Sequence, residues 1–113
     1  MEEPGREYIT PEIERRQHRR ARLVTQVRCE ALGREDLLVS RDISAGGLFV
    51  RAKEPFPLGS EVSLSFRLAP VDPLVACRGK VVYSAQDVGM GIQFVDLGEE
   101  SRQRLQKFVD ESN

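Results

Sequence analysis

The chain has 113 residues, of which 40% are apolar, 31% charged and 6% aromatic, and its net charge is −1. This length predicts one domain with one modest core, and the composition excludes general disorder. No apolar run approaches the roughly 20 residues that span a bilayer, and the acidic start lacks the apolar region of a secretory signal. We therefore predict no membrane insertion and a cytoplasmic location.

The chain begins with a polar leader followed by an arginine-rich arm. Residues 1–13 contain Pro4, Gly5 and Pro11, and they predict a flexible tail. Residues 14–22 form the arm, which carries Arg15, Arg16, Arg19, Arg20 and Arg22. Because the chain as a whole is nearly neutral, the arm is a local concentration of positive charge.

Six short strands are predicted after the arm, since apolar and polar residues alternate in six segments. They are 21–32, 37–44, 48–52, 61–69, 74–85 and 88–97. Turn residues separate them, as in the predicted turn 33–36 and the loop 53–60, and Gly89 and Gly91 indicate a close backbone approach or a bulge. Strands at roughly ten-residue spacing predict an antiparallel barrel or sandwich.

A helix is predicted at the end of the chain, over about 98–111. Its apolar side is formed by residues at helical spacing, namely Leu97, Leu105, Phe108 and Val109. Glu99 and Glu100 in the first turn and Lys107 near the end suit the helix dipole. We expect this amphipathic helix to close an open face of the barrel.

No enzyme, metal site or cofactor is predicted. His18 is the single histidine, and it lies in a cationic run that favours its neutral form, with no obvious carboxylate to orient it. Cys29 and Cys77 have no histidine at metal-ligand spacing. We interpret both as small core or strand residues of a reducing compartment, although a disulfide between them stays open.

Arg16 and Arg20 form the first candidate binding pair. Their separation of four residues places them on one side of a helix and, being even, also on one side of an extended chain. Arginine matches phosphate oxygens or the edge of guanine with two parallel hydrogen bonds. Taken alone, such a run is more often a solvated basic tail.

The second candidate is the segment RDISAGG, residues 41–47. Asp42 can accept hydrogen bonds from guanine N1–H and N2–H, and Ser44 can donate to a ligand oxygen. Gly46 and Gly47 permit a tight turn with exposed N–H groups. Taken alone, this pattern is an ordinary capped turn.

Together the two motifs, Arg16-x-x-x-Arg20 and Asp42-x-Ser44-x-x-Gly47, resemble the PilZ domain, the receptor for cyclic di-GMP. The resemblance covers about residues 14–110. It implies a mainly all-β fold, a six-stranded antiparallel β-barrel with a C-terminal amphipathic α-helix, in which the arm belongs to the domain.

The resemblance also implies the ligand and the residues that bind it. The clamp would be Arg16 and Arg20, and the surface that holds a guanine base would be Asp42, Ser44 and Gly47, with Gly46 in the same turn. Arg15 would add a contact, since a basic residue there accompanies a stacked cyclic di-GMP dimer in the family. Three further arginines are expected at the rim, Arg19, Arg22 and Arg41, as steering or solvated charges.

A signalling mode follows from the entropy of the arm. Ordering an arginine costs at most about 2 kcal/mol, and charge-assisted hydrogen bonds offset this cost when a dianionic ligand is present. We therefore expect an arm that is mobile without ligand and ordered with it. The chain is predicted to be a stand-alone receptor, a monomer or weak dimer, that signals to a partner protein in trans.

Two other functions are considered. The chain could be a PilZ-like adaptor that acts through protein contacts with weak or no cyclic di-GMP binding. It could also be a barrel that binds RNA or single-stranded DNA, but such barrels use aromatic stacking platforms. The chain has no Trp, and Tyr8, Tyr83 and the phenylalanines mostly lie outside the basic stretch or at core positions, so we predict no DNA or RNA binding.

Overall fold

The computed structural model describes residues 19–112, which form seven strands and one helix. The elements are β1 Ala21–Arg22, β2 Gln26–Ala31, β3 Arg34–Ile43, β4 Gly47–Arg51, β5 Glu61–Phe66, β6 Val75–Ala85, β7 Gly89–Phe94 and α1 Glu99–Asp110. The predicted tail and the first residues of the arm, 14–18, lie outside the described part of the chain.

Strands β2 to β7 close into a six-stranded antiparallel barrel. The order around the barrel is β3-β2-β5-β6-β7-β4, and β4 pairs back with β3. Closure pairs every strand of the barrel on both sides, so a hydrogen-bonding edge is not left exposed. The predicted barrel with a C-terminal helix is confirmed.

The first predicted strand, 21–32, is interrupted. β1 pairs with the far end of β3, where Arg22 lies opposite Asp42, and β2 pairs with the remainder of β3. In the interruption the buried hydroxyl of Ser40 accepts a hydrogen bond from the Thr25 N–H at 3.1 Å and donates to the Leu23 carbonyl. Over the three interrupted residues, 23–25, a side chain thus supplements the backbone hydrogen bonds to β3, which the alternation of residue types does not reveal.

The turn between β2 and β3 is shorter than predicted. It consists of Leu32 and Gly33, both with positive φ, 55° and 74°. Such a two-residue turn matches the twist of the strands it joins. The expectation that the turn extends to residue 36 is wrong, because Arg34, Glu35 and Asp36 are outer strand residues, two of them in ion pairs with arginines.

The core lies inside the barrel and extends under the helix. Inward-facing strand residues alternate with exposed ones, as in β5, where Val62, Leu64 and Phe66 are buried. Leu105 of α1 is fully buried in the same apolar cluster, and Val109 is also buried. The predicted helix and its terminal charges are confirmed, with Gly98 as the N-cap. Within residues 19–112, helical structure falls short of the length and apolarity that a membrane crossing needs.

The two cysteines lie on opposite neighbours of β5. Cys29 is paired with Leu64, and Leu64 is paired with Cys77, so two strand spacings, about 10 Å, separate the cysteines. A disulfide needs Cα atoms within about 7 Å, and both thiols are free. Burial raises the pKa of Cys29 to about 12 and that of Cys77 to about 11.

Candidate ligand-binding site

A pocket of about 410 Å³ lies on the outer side of the barrel, beside the end of β3. Its polar rim comes from the end of the arm, from β3 and from the turn after β3: Arg20, Arg41, Asp42, Ser44, Gly46 and Gly47. Its apolar wall comes from β4, β6, β7 and the turn between β6 and β7, and it includes Phe49, Val82, Tyr83, Val88 and Gly91. A concave site with an apolar wall and a few convergent polar groups is typical of ligand binding.

Arg20 joins the two sequence motifs. Because Arg22 is paired with Asp42 in the sheet, the last residues of the arm, 20–22, lie beside the end of β3. The Nε and Nη2 atoms of Arg20 lie 2.8 and 2.6 Å from Oδ1 of Asp42, and its Nη1 donates to Oγ of Ser44 at 3.4 Å. The convergence of Arg20, Asp42 and Ser44 that the sequence predicts is present in the fold.

Arg41 faces the same pocket because β3 is irregular there. Ser40 is paired with Val50 and Asp42 with Phe49, so Arg41 is a bulged residue with no partner in β4. Its Nε donates to Oδ2 of Asp42 at 2.7 Å, and its guanidinium carbon lies 4.0 Å from the centre of the Phe49 ring. Each oxygen of Asp42 is therefore held by a different arginine.

The turn after β3 is built around the buried hydroxyl of Ser44. Its Oγ accepts hydrogen bonds from the N–H groups of Gly46 and Gly47 at 3.1 and 3.2 Å. The tight turn is as predicted, but the expectation that these N–H groups are exposed is wrong, because Ser44 takes both. Gly47 is also required by space, since a Cβ there would lie 2.2 Å from the carbonyl oxygen of Ile92.

The apolar wall was not predicted as part of the site. Phe49, Gly91 and Tyr83 lie side by side across β4, β7 and β6, and the rings of Phe49 and Tyr83 meet beside the glycine with centroids 6.1 Å apart. A register shift in β6 between Val81 and Tyr83 confirms an irregularity opposite Gly91. Tyr83 is 52% exposed and is not a core residue.

The described residues thus contain five of the seven predicted site residues, namely Arg20, Asp42, Ser44, Gly46 and Gly47, and all five line one pocket. Arg15 and Arg16 lie outside the described residues. Sequence reasoning missed Phe49, Tyr83 and Val88, and it placed Arg41 at the rim. Phe49 and Tyr83 are both paired with Gly91, so the glycine points to them once the strand register is known. The sequence alone does not give that register.

The fold and the pocket define a class of protein, a small closed β-barrel with a pocket on its outer face that is lined by Arg20 and by an Asp-x-Ser-x-x-Gly turn. The sequence matches the PilZ domain family over residues 14–111. The chain belongs to this family.

Solved structures share the fold. The inhibitor of motility MotI/DgrA of Bacillus subtilis superposes with a TM-score of 0.72 at 22% identity, over 85% of this chain and 49% of that chain. The PilZ domain of YcgR from Escherichia coli with c-di-GMP superposes with a TM-score of 0.66 at 10% identity, over 87% of this chain and 91% of that chain. PlzA of Borreliella burgdorferi in complex with c-di-GMP superposes with a TM-score of 0.59 at 15% identity, over 88% of this chain and 44% of that chain.

The chain spans about half the length of MotI/DgrA and of PlzA. Curated proteins gave no sequence match. The relationship is therefore carried by the family match and by the fold.

Proposed function

We propose that this PilZ protein is a receptor for cyclic di-GMP, which binds in the pocket beside the end of β3. The observation that carries the proposal is the contact of the Arg20 guanidinium with Asp42 and Ser44 at the rim of that pocket. The binding residues are Arg20, Asp42, Ser44, Gly46 and Gly47, together with Arg15 and Arg16 of the arm. The solved structures of YcgR and PlzA with c-di-GMP support the choice of ligand.

Asp42 can recognise guanine when Arg20 gives up part of its contact. Of the about four acceptor sites of a carboxylate, Nε and Nη2 of Arg20 occupy those of Oδ1, and Nε of Arg41 occupies one on Oδ2. Guanine presents the N1–H and N2–H donors side by side, which matches a carboxylate, so pairing with both donors requires one Arg20 donor to leave Oδ1. The arginines supply charge for the two phosphates, so one cluster serves both parts of the ligand.

Ser44 and the two glycines contribute by shape. The Ser44 hydroxyl is committed to the turn and to Arg20, so its role is to hold the turn against the pocket rather than to reach far into it. Gly47 allows the turn to lie close to β7. The polar rim is thereby fixed before a ligand arrives.

The signalling mode is proposed with one change to the expectation from sequence. Ala21 and Arg22 are paired with β3, and Arg20 is bonded to Asp42, so the end of the arm is fixed to the barrel. Any ordering on ligand binding is confined to the part of the arm before Arg20. That part would present a new surface to a partner protein in trans, in the cytoplasm, with the receptor a monomer or weak dimer.

Isothermal titration calorimetry with cyclic di-GMP tests the proposal. The wild-type protein should bind with a dissociation constant of about 1 μM or lower. Arg16→Ala, Arg20→Ala and Asp42→Ala should each abolish the heat. Asp96→Ala is the matched control, because Asp96 is bonded to Arg78 at 2.8 Å outside the pocket, and it should bind as the wild type does. Unchanged binding in the three site variants would disprove this assignment of the site.

A specific observation keeps the adaptor function as a second candidate. A groove of about 450 Å³ is lined in part by the exposed side chains of Val24, Leu37 and Leu74, and it shares no lining residue with the pocket. Exposed apolar groups in a groove suit protein contact. If Arg20→Ala restores function to a knockout strain without binding cyclic di-GMP, the adaptor function is favoured.

Binding of nucleic acid is tested separately. Phe49 and Tyr83 place aromatic groups beside arginines in the pocket, which weakens one argument against RNA or single-stranded DNA. A gel shift with random oligonucleotides should show no complex at protein concentrations at which binding of cyclic di-GMP is complete.

A further inference from the structure

We infer that Arg41 is a stacking platform for one purine base of the ligand, with its guanidinium held between that base and the ring of Phe49. The inference rests on the proposed function and names how the same pocket holds a base. It gives Arg41 a direct contact with the ligand in place of a general charge at the rim.

The guanidinium of Arg41 is fixed at two points. Its central carbon lies 4.0 Å from the centre of the Phe49 ring, and its Nε donates to Oδ2 of Asp42 at 2.7 Å. Phe49 is itself only 8% exposed, so the ring below the guanidinium is held by packing. An arginine that is already ordered loses little further rotamer freedom when a ligand stacks on it.

One side of the Arg41 guanidinium is open to the pocket. The side chain lines the pocket and is 48% exposed, although its other side rests on Phe49. A guanidinium is flat, weakly hydrated and stacks on aromatic faces. A purine base on the open side would complete a stack of three layers: ring, cation and base.

The neighbouring wall of the pocket leaves room for a flat group. Phe49, Gly91 and Tyr83 lie side by side on adjacent strands, and a Cβ at Gly91 would touch the Cβ of Tyr83 at 3.4 Å. The absence of a side chain at Gly91 therefore leaves a depression between the two rings. Tyr83 and Val88 expose about half of their surface here, 52% and 50%. Exposed apolar surface that converges on one concavity marks the face that a ligand covers.

A purely electrostatic role for Arg41 predicts a different effect of the Arg41→Lys substitution on ligand affinity. Lysine retains the positive charge but lacks the planar group that rests on Phe49 and the fork that holds Asp42. If Arg41 only attracts the anionic ligand, Arg41→Lys binds as the wild type does. If Arg41 stacks on a base, Arg41→Lys loses most of what Arg41→Ala loses.

The experiment is calorimetric titration of the full chain with cyclic di-GMP, for the wild type and for Arg41→Lys, Arg41→Ala and Phe49→Leu. Loss of a largely desolvated cation–π layer should raise the dissociation constant about tenfold in both Arg41 variants, and several-fold in Phe49→Leu. Arg51→Ala is the matched control, an exposed arginine of β4 that does not line the pocket, and it should change the constant by less than about twofold. Melting temperatures verify that each variant folds. Arg41→Lys decides the outcome, because Arg41 is a surface residue and its replacement by lysine should leave the fold intact.

The results separate this inference from the proposed function. If the wild type binds and Arg41→Lys binds equally well, the platform is disproved while the receptor function stands. If the wild type itself does not bind cyclic di-GMP, the receptor function and the platform both fail.

Discussion

The Nη2 atom of Arg20 lies 2.6 Å from Oδ1 of Asp42, although 22 positions separate these residues in the chain. The contact forms because β1 holds the end of the arm beside the end of β3, where Arg22 is paired with Asp42. Asp42 is at the same time bonded to Arg41 through its second oxygen. One carboxylate thus anchors two cations on the outer wall of the barrel.

The Arg20–Asp42 pair is expected to stabilise the free protein only slightly. Their side chains are 34% and 19% exposed, and partly solvated pairs of this kind contribute about 0.2–1 kcal/mol. A double-mutant cycle with Arg20→Ala and Asp42→Ala, measured by urea unfolding without ligand, should give a coupling energy in this range. A coupling well above it would show that the pair serves mainly to hold the fold together.

Ser44→Ala should destabilise the fold as well as the site. The buried hydroxyl accepts hydrogen bonds from Gly46 and Gly47, and its removal leaves two N–H groups without their partner. The expected loss in unfolding free energy is about 1–3 kcal/mol. Ser63→Ala on the exposed side of β5 is the control, with a change within about 0.5 kcal/mol. Equal stabilities of the two variants would contradict the role given to Ser44.

Gly47→Ala should impair folding, whereas Gly91→Ala should impair ligand binding. A Cβ at Gly47 would lie 2.2 Å from the carbonyl oxygen of Ile92, so Gly47→Ala should lower the unfolding free energy by about 1–3 kcal/mol or more. A Cβ at Gly91 would make only ordinary contacts, 3.4 Å to Tyr83 and 3.9 Å to Phe49. Gly91→Ala should fold normally and weaken cyclic di-GMP binding by filling the depression, as calorimetry and thermal unfolding would show. Wild-type affinity in a folded Gly91→Ala protein would contradict this account of the pocket wall.

Stability should fall at alkaline pH because of Cys29. Burial raises the pKa of its thiol to about 12, whereas a thiol in an unfolded chain ionises near about 8.5. As the pH rises between these values, the unfolded state loses a proton that the folded state keeps, which favours unfolding by up to about 1.4 kcal/mol per pH unit. Urea unfolding of the wild type and of Cys29→Ala at pH 8 and at higher pH should show a smaller loss in the variant. Parallel losses in both proteins would rule out this contribution.

The C-terminal helix should be required for a stable core. Leu105 is fully buried in the barrel cluster, and truncation of such a leucine costs about 2–5 kcal/mol. Leu105→Ala should therefore lower the midpoint of urea unfolding strongly, while Gln106→Ala on the exposed side of the helix should leave it nearly unchanged. A small effect at Leu105 would mean that the barrel core is complete without the helix.

The sequence by itself determined the elements whose residues carry a local pattern. Alternation in β5 and helical spacing in α1 predict which side chains are buried, because a strand or helix repeats its faces at a fixed period. The two motifs around Arg20 and Asp42 identify most of the polar rim, since arginine and carboxylate chemistry depends on residue type. The family and the barrel follow from these local signals.

Only the tertiary structure decided the rest of the site. The bulge at Arg41 turns a residue of a regular-looking strand toward the pocket, and the pairing of Phe49 with Gly91 and of Gly91 with Tyr83 builds the apolar wall. Ser44 likewise takes the N–H groups that the turn was expected to expose. These features depend on bulges and on which residues of strands distant in sequence are paired. Alternation within a strand assigns each residue to a face, but a shift by two residues keeps that face, so the pattern alone does not name the partner.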